Sequence, residues 1–149
     1  MNRIPISLRE YGFELAGQWK LNRDSLSVEF KEGYAGSRAI YAFVHKGHVK
    51  YVGICQGTNR TLAHRFKEYC KTEMPIAGQS ISQNMRIKAN IVEVLRLKNA
   101  VSIYALKPPK GLAFCGIEID LVSGLEQSLI DLLKPSWNKR GRAKVRKTR

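Results

Sequence analysis

Two short runs of strand-forming residues, separated by a tight turn, constrain this chain more than any other feature. Residues 39–44 contain Ile40, Tyr41, Phe43 and Val44, and residues 49–53 contain Val49, Tyr51 and Val52. β-Branched and aromatic side chains suit a pleated, half-buried surface. Only His45, Lys46, Gly47 and His48 separate the runs. That connection is too short for a crossover, so the two strands pair antiparallel as a hairpin. Tyr41 and Tyr51 then sit on adjacent strands and can face the same side.

Residues 60–71 form a basic helix with Leu62, Phe66 and Tyr69 on one side, after a Gly/Asn-containing loop over 53–59. Residues 80–98 form a longer helix, with Ile81, Met85, Ile91, Val92 and Leu95 near one face. A strand over 101–106 stops at Pro108 and Pro109, and 112–119 reads as another. A last helix, over 123–134, turns Leu125, Leu129, Leu132 and Leu133 inward and ends at Pro135. Ahead of the hairpin, 1–37 reads as an N-terminal extension. It holds a short helix with a capping-box pattern (Ser7, Glu10) and a strand over 25–30, with Leu26, Val28 and Phe30 on one face. The order points to an α+β fold: a small central, mainly antiparallel sheet with a three-stranded core, flanked by helices.

At 149 residues the chain is one domain's length. Lys and Arg number 26 against 12 Asp and Glu, a formal charge of +14. Such an excess calls for a polyanionic partner, either nucleic acid or an acidic membrane surface. No apolar run approaches the roughly 18 residues of a membrane span, and 1–20 lacks the apolar core of a secretory signal. Cys55, Cys70 and Cys115 are odd in number and lack C-x-x-C spacing, which fits a reducing, cytoplasmic setting. Half of the net charge lies in 139–149, on Lys139, Arg140, Arg142, Lys144, Arg146, Lys147 and Arg149. With so little apolar material, that tail reads as a mobile basic arm. The expected organisation is an extension over 1–37, a core domain over 38–138 and the tail.

Neither G-x-x-x-x-G-K-[ST] nor G-x-G-x-x-G occurs, so no nucleotide-cradling loop is predicted. What does occur is an ordered set. Ala39-Ile40-Tyr41 and Tyr51-Val52-Gly53 lie on the hairpin. Leu62, Arg65, Phe66 and Tyr69 follow in L-x-x-R-[apolar]-x-x-Y spacing, then Glu126 on the last helix, then Pro135, Trp137 and Asn138. Taken singly, each has a structural explanation. Tyr41, Tyr51 and Tyr69 can be packed aromatics, Arg65 a solvated charge, and Ser123 with Glu126 a capping box. The bottom-up chemistry fits a second reading. Tyrosine hydroxyls can hydrogen-bond phosphate or water. A planar guanidinium can clamp a phosphate. One carboxylate can hold Mg²⁺, which keeps most of its waters.

Over 38–138 the ordered set resembles the GIY-YIG nuclease family, which includes UvrC-type repair domains and compact phage and restriction endonucleases. The resemblance implies a divalent-metal-dependent endonuclease acting on DNA, duplex by preference, that leaves 5′-phosphate and 3′-hydroxyl ends. It implies Mg²⁺ as cofactor, with Mn²⁺ able to substitute, held by Glu126. It implies that Arg65 contacts the scissile phosphate and that Tyr41 acts as general base or water-positioner. Tyr51 shapes the site, Tyr69 lies near the phosphate, and Asn138 supports the site through hydrogen bonds. Arg60, Arg65, Lys88, Lys139, Arg140 and Arg142 are the candidate nucleic-acid contacts. Cutting both strands with one active site per chain would call for a homo-oligomer. Ala39 stands where the family has its first Gly, and Ile54 where many members carry Lys; Arg60 is a candidate for that missing charge. A non-cutting nucleic-acid-binding module and a single-strand or RNA nuclease are the alternatives.

Overall fold

The computed structural model of the chain describes residues 5–56, 60–73, 76, 78 and 80–138. The hairpin forms as predicted, from β3 (Ala39–His45) and β4 (His48–Cys55). Lys46 and Gly47 at its tip have φ of 50° and 76°, the left-handed pair that a two-residue turn requires when it matches strand twist. Before the hairpin lie α1 (Ile6–Glu10), β1 (Glu14–Asn22) and β2 (Ser25–Phe30). After it come α2 (Leu62–Lys71), α3 (Gln83–Arg96), β5 (Ser102–Leu106), a small ribbon of β6 (Ala113–Phe114) and β7 (Ile117–Glu118), and α4 (Leu121–Leu133).

The main sheet has five strands in the order β2-β1-β5-β3-β4, each pair antiparallel, so the expected three-stranded core is corrected. The two added strands come from the segment that the sequence presents as an extension. β1 pairs along β5 through Glu14↔Ala105 and Gln18↔Ser102, with a register shift between Leu15 and Gly17. That bulge puts the buried Ala16 and Trp19 three residues apart, which hides the period-two pattern that marks a strand.

The sheet separates two cores. On one face Trp19, Tyr41, Phe43 and Tyr51 pack with Leu62, Phe66 and Tyr69 of α2 and Ile87, Ile91 and Val92 of α3. On the other, Ile40, Ala42, Val44 and Val52 pack with Val122 and Leu129 of α4 and Leu8 of α1. Some inward assignments change. Ile81 precedes α3 and is exposed, as is Leu132 on α4. The segment 112–119 forms the small separate ribbon and joins no main-sheet strand. Helix α4 starts at Leu121 with Asp120 as its cap, Oδ1 accepting from the Val122 amide at 3.0 Å. The proposed Ser123/Glu126 capping box therefore does not form, because both residues lie inside the helix. Likewise Ser7 lies within α1, whose N-cap is Pro5. Among the described residues no helix is long and apolar enough to cross a membrane.

Candidate active site

Register brings the two tyrosine triplets together. Tyr41 lies opposite Gly53, and Phe43 opposite Tyr51. A Cβ on Gly53 would stand 2.6 Å from both Cζ and the hydroxyl of Tyr41, so the glycine of the second triplet leaves room for the phenol of the first. The Tyr41 ring is fully buried, 4.9 Å edge-to-face from Phe66 and 6.2 Å from Tyr51, centre to centre. Helix α2 is capped by Thr61, whose hydroxyl accepts from the His64 amide. It lays Leu62, Phe66 and Tyr69 against the sheet and leaves Arg65 at the edge of that stripe.

The Tyr41 and Tyr69 hydroxyls and the Arg65 guanidinium form one connected chain. Tyr41 and Tyr69 share a hydrogen bond of 3.1 Å. Arg65 donates from Nη2 to the Tyr69 hydroxyl at 2.9 Å and to Asn84 Oδ1 at 3.3 Å, and from Nη1 to Glu68 Oε1 at 2.9 Å. Its guanidinium carbon also lies 4.4 Å from the centre of the Tyr69 ring. The Tyr51 hydroxyl accepts from Gln83 Nε2 at 2.8 Å. Glu68 is paired with Arg60 as well, so one carboxylate joins two arginines.

Burial pushes the Tyr41 and Tyr69 hydroxyls well above the ordinary phenol value, although the Arg65 charge opposes that shift in both. Both stay protonated through neutral pH and serve as hydrogen-bond partners. Burial works against the charge on Arg65. The surrounding Tyr41, Tyr69 and Tyr51 and the Glu68 hydrogen bond outweigh it, and the guanidinium is held protonated.

The other predicted residues are placed differently. Glu126 is half-buried on α4, one turn after Val122 and three residues before Leu129, on the stripe of that helix that faces the sheet. α4 covers the face opposite Tyr41. Asn138 pairs with the outer edge of β4: its Oδ1 accepts from the Val52 amide and its Nδ2 donates to the Val52 carbonyl, both at 2.9 Å. The Trp137 amide adds a bond of 2.7 Å to the Lys50 carbonyl, so residues 137–138 cover an edge that would otherwise be open to pairing. Lys88, proposed as a nucleic-acid contact, instead donates to the carbonyls of Cys70 and Thr72 at 2.9 and 2.6 Å. It closes the C-terminal end of α2, where a cation complements the helix dipole. Arg60 is exposed and ion-paired with Glu68. Lys139, Arg140 and Arg142 lie outside the described residues.

Three further residues join the site without a motif to mark them. Glu68 is i+3 from Arg65, and helical spacing alone could have suggested that pair. Gln83 and Asn84 carry no local signal, because only the packing of α3 against α2 brings their amides to Tyr51 and Arg65.

The paired triplets, the arginine helix and the mixed architecture define a GIY-YIG-like nuclease fold. The chain is similar to a mutant form of bacteriophage T4 EndoII, with a TM-score of 0.67 and 20% identity over 92% of this chain and 99% of that one. It is also similar to restriction endonuclease HPY188I in complex with product DNA, with a TM-score of 0.54 and 17% identity over 88% of this chain and 80% of that one. At these identities the likeness is one of fold. No protein-family profile matches the chain, and no curated protein matches it.

Proposed function

We propose that this protein is a divalent-metal-dependent endonuclease that hydrolyses phosphodiester bonds in DNA, leaving 5′-phosphate and 3′-hydroxyl ends. The observation that carries the reading is the hydrogen-bonded chain from Arg65 through Tyr69 to Tyr41, at 2.9 and 3.1 Å, on a fold shared with nucleases. Three hydrogen bonds hold the Arg65 guanidinium. Of its five N–H donors, the remaining two suit an incoming phosphate. Fixed donors of this kind stabilise the charge that builds on a phosphoryl group in the transition state.

The protonated and fully buried Tyr41 suits the role of fixing Tyr69, and through it Arg65, rather than of deprotonating water. Water adds to phosphorus in line with the 3′-oxygen and gives up a proton to solvent, the P–O3′ bond breaks, and the leaving 3′-oxygen takes up a proton from solvent. Tyr69 and Tyr51 hold Arg65 and the wall of the site in place. Among the described residues no group of three or more His, Cys, Asp or Glu side chains converges to form a closed metal cage. The chemistry of the half-buried Glu126 carboxylate fits Mg²⁺ or Mn²⁺, since a hard cation that retains most of its waters needs few protein ligands, although α4 sets it against the sheet face opposite Tyr41. When bound, such an ion supplies Lewis-acid polarisation of the phosphate and of the leaving oxygen. The partner is DNA, duplex by preference, and double-strand cutting would use two copies of the chain.

Plasmid cleavage tests this reading. The purified protein is expected to nick or linearise supercoiled DNA in Mg²⁺ and to stop in EDTA. Arg65→Ala should lower the rate by about 10²–10³-fold, the usual cost of removing a fixed transition-state donor. Glu126→Ala should abolish metal-dependent cutting. Intact plasmid in both Mg²⁺ and Mn²⁺ would overturn the assignment, as would undiminished cutting by both variants.

A further inference from the structure

A cleft of about 780 Å³ opens where β3 begins and β5 ends, bounded also by the starts of α2 and α4. Arg38, Arg60, Lys107 and Lys110 line it, against the carboxylates of Glu118 and Asp120. Its positive charge is only partly answered. Asp120 Oδ1 caps α4, and Oδ2 lies 3.4 Å from Arg38 Nη2. The Arg38 Nε is buried and has no hydrogen-bond partner among the described residues. Lys107 donates to the neutral carbonyl of Gly33 at 3.0 Å and rests over the Tyr34 ring, contacts that leave its charge uncompensated. Lys110 is exposed.

This cleft runs into the tyrosine–arginine site. Arg60 belongs to both, since it lines the cleft and shares Glu68 with Arg65. Cys55, at the end of β4, reports the same proximity. Burial raises its thiol pKa, while Arg60, Arg65 and Arg38 all pull it back. Guanidiniums from before β3 (Arg38) and from the start of α2 (Arg60 and Arg65) therefore all act on Cys55 beside the site. The volume exceeds what a single phosphate fills.

We infer that this cleft carries the backbone of the DNA that leads to Arg65, with Arg38, Lys107 and Lys110 as phosphate contacts on the approach. The inference rests on the nuclease reading for its ligand and extends it to residues outside the tyrosine–arginine cluster. It predicts a binding defect separable from chemistry. The test measures binding of a short DNA duplex in EDTA across a range of salt. The variants are Lys107→Gln/Lys110→Gln and, because Lys107 also packs on Tyr34, Lys110→Glu alone. Lys20→Gln/Lys46→Gln, on an exposed strand position and the β3–β4 turn, removes the same charge away from the cleft.

The cleft double variant is expected to bind roughly tenfold more weakly. Its slope of log affinity against log salt should be shallower by about two, near one for each lost phosphate contact. Lys110→Glu should weaken binding in the same direction, and the remote control should stay within about twofold of wild type. Equal weakening in cleft and control variants would overturn the cleft, as would a wild-type protein that does not retain the duplex at all. Duplex binding that is cleft-dependent, with no cutting in Mg²⁺ or Mn²⁺, would leave the cleft standing and remove only the nuclease reading.

Discussion

From Ala39 to Phe43 and from Tyr51 to Cys55, alternate residues of the same two strands build opposite faces. One carries Tyr41, Phe43 and Tyr51 toward α2 and α3, and the other carries Ile40, Ala42 and Val52 toward α4 and α1. The aliphatic face needs only volume and area. The aromatic face needs those as well, and each buried hydroxyl on it must also find a partner at a fixed angle and distance. Tyr41, Tyr69, Arg65 and Asn84 satisfy one another in a single chain, so packing on that face also sets the geometry of polar groups. A chemical site is accordingly expected where the packing cannot slide. The aliphatic face seats α4, and with it Glu126, by ordinary burial.

The largest effect separating the faces is expected from Phe66→Ala. Phe66 is fully buried and lies 5.2 Å from the Trp19 ring, 4.9 Å from Tyr41 and 5.5 Å from both Phe43 and Phe30. Its truncation should cost about 3–5 kcal/mol. Ile40→Ala, next to Tyr41 but on the aliphatic face, should cost toward the lower end of about 2–5 kcal/mol by the same logic. Urea unfolding measures both. Near-ultraviolet circular dichroism divides them, because only Phe66→Ala removes a ring from the aromatic cluster and frees Tyr41. Equal loss of the aromatic signal in the two variants would break the distinction between the faces.

Gly53→Ala acts on the same contrast with a smaller change. The added methyl would meet Tyr41 at 2.6 Å, and the Tyr41 ring cannot retreat because Phe66 and Tyr51 hem it in. Overpacking of this kind costs about 1–3 kcal/mol. The lower entropy of the unfolded chain returns only about 0.4–1 kcal/mol. Gly36→Ala gains the same entropy and meets nothing within 4 Å, so its unfolding midpoint should hold or rise. A Gly53→Ala protein as stable as Gly36→Ala would show that the fit between the two triplets is loose.

The hairpin, α2 and most of α3 and α4 are legible in the sequence because their apolar periods are clean. β1 is not, since the shift between Leu15 and Gly17 breaks its alternation, and Trp19 at the centre of the aromatic core goes unmarked with it. The start of α4 is misread because Ser123 offers a cap pattern that Asp120, three residues earlier, already fulfils. In the candidate site, Tyr41, Tyr51, Arg65 and Tyr69 are legible by motif, and the structure joins Arg65, Tyr69 and Tyr41 by hydrogen bonds. Gln83, Asn84, Arg38 and Lys107 are invisible beforehand, because tertiary packing alone gives them their partners. Lys88 shows the converse. Its charge suggests a phosphate contact, and its position on α3 turns it toward the carbonyls that end α2.

The smallest expected effect appears only in alkali. Tyr41 and Tyr69 have pKa values raised by burial above the ordinary 10.0. Below pH 10 the folded and unfolded chains both keep these protons, and the full stability is present. Above it the unfolded chain releases them while the folded chain holds them, so stability falls as pH rises toward the folded values. The slope is roughly 1.4 kcal/mol per pH unit for each tyrosine. Tyr69→Phe should flatten that fall by one tyrosine's share, measured as urea midpoints between pH 9 and 11. Tyr104, on the aliphatic face, is also raised by burial, and Tyr104→Phe should flatten the slope too. The two substitutions part at neutral pH. Tyr69→Phe removes the oxygen that joins Arg65 to Tyr41 and should slow DNA cleavage, whereas Tyr104→Phe should leave cleavage unchanged. A Tyr69→Phe protein that cuts at the wild-type rate would reduce the hydroxyl chain to packing and make the two faces chemically alike.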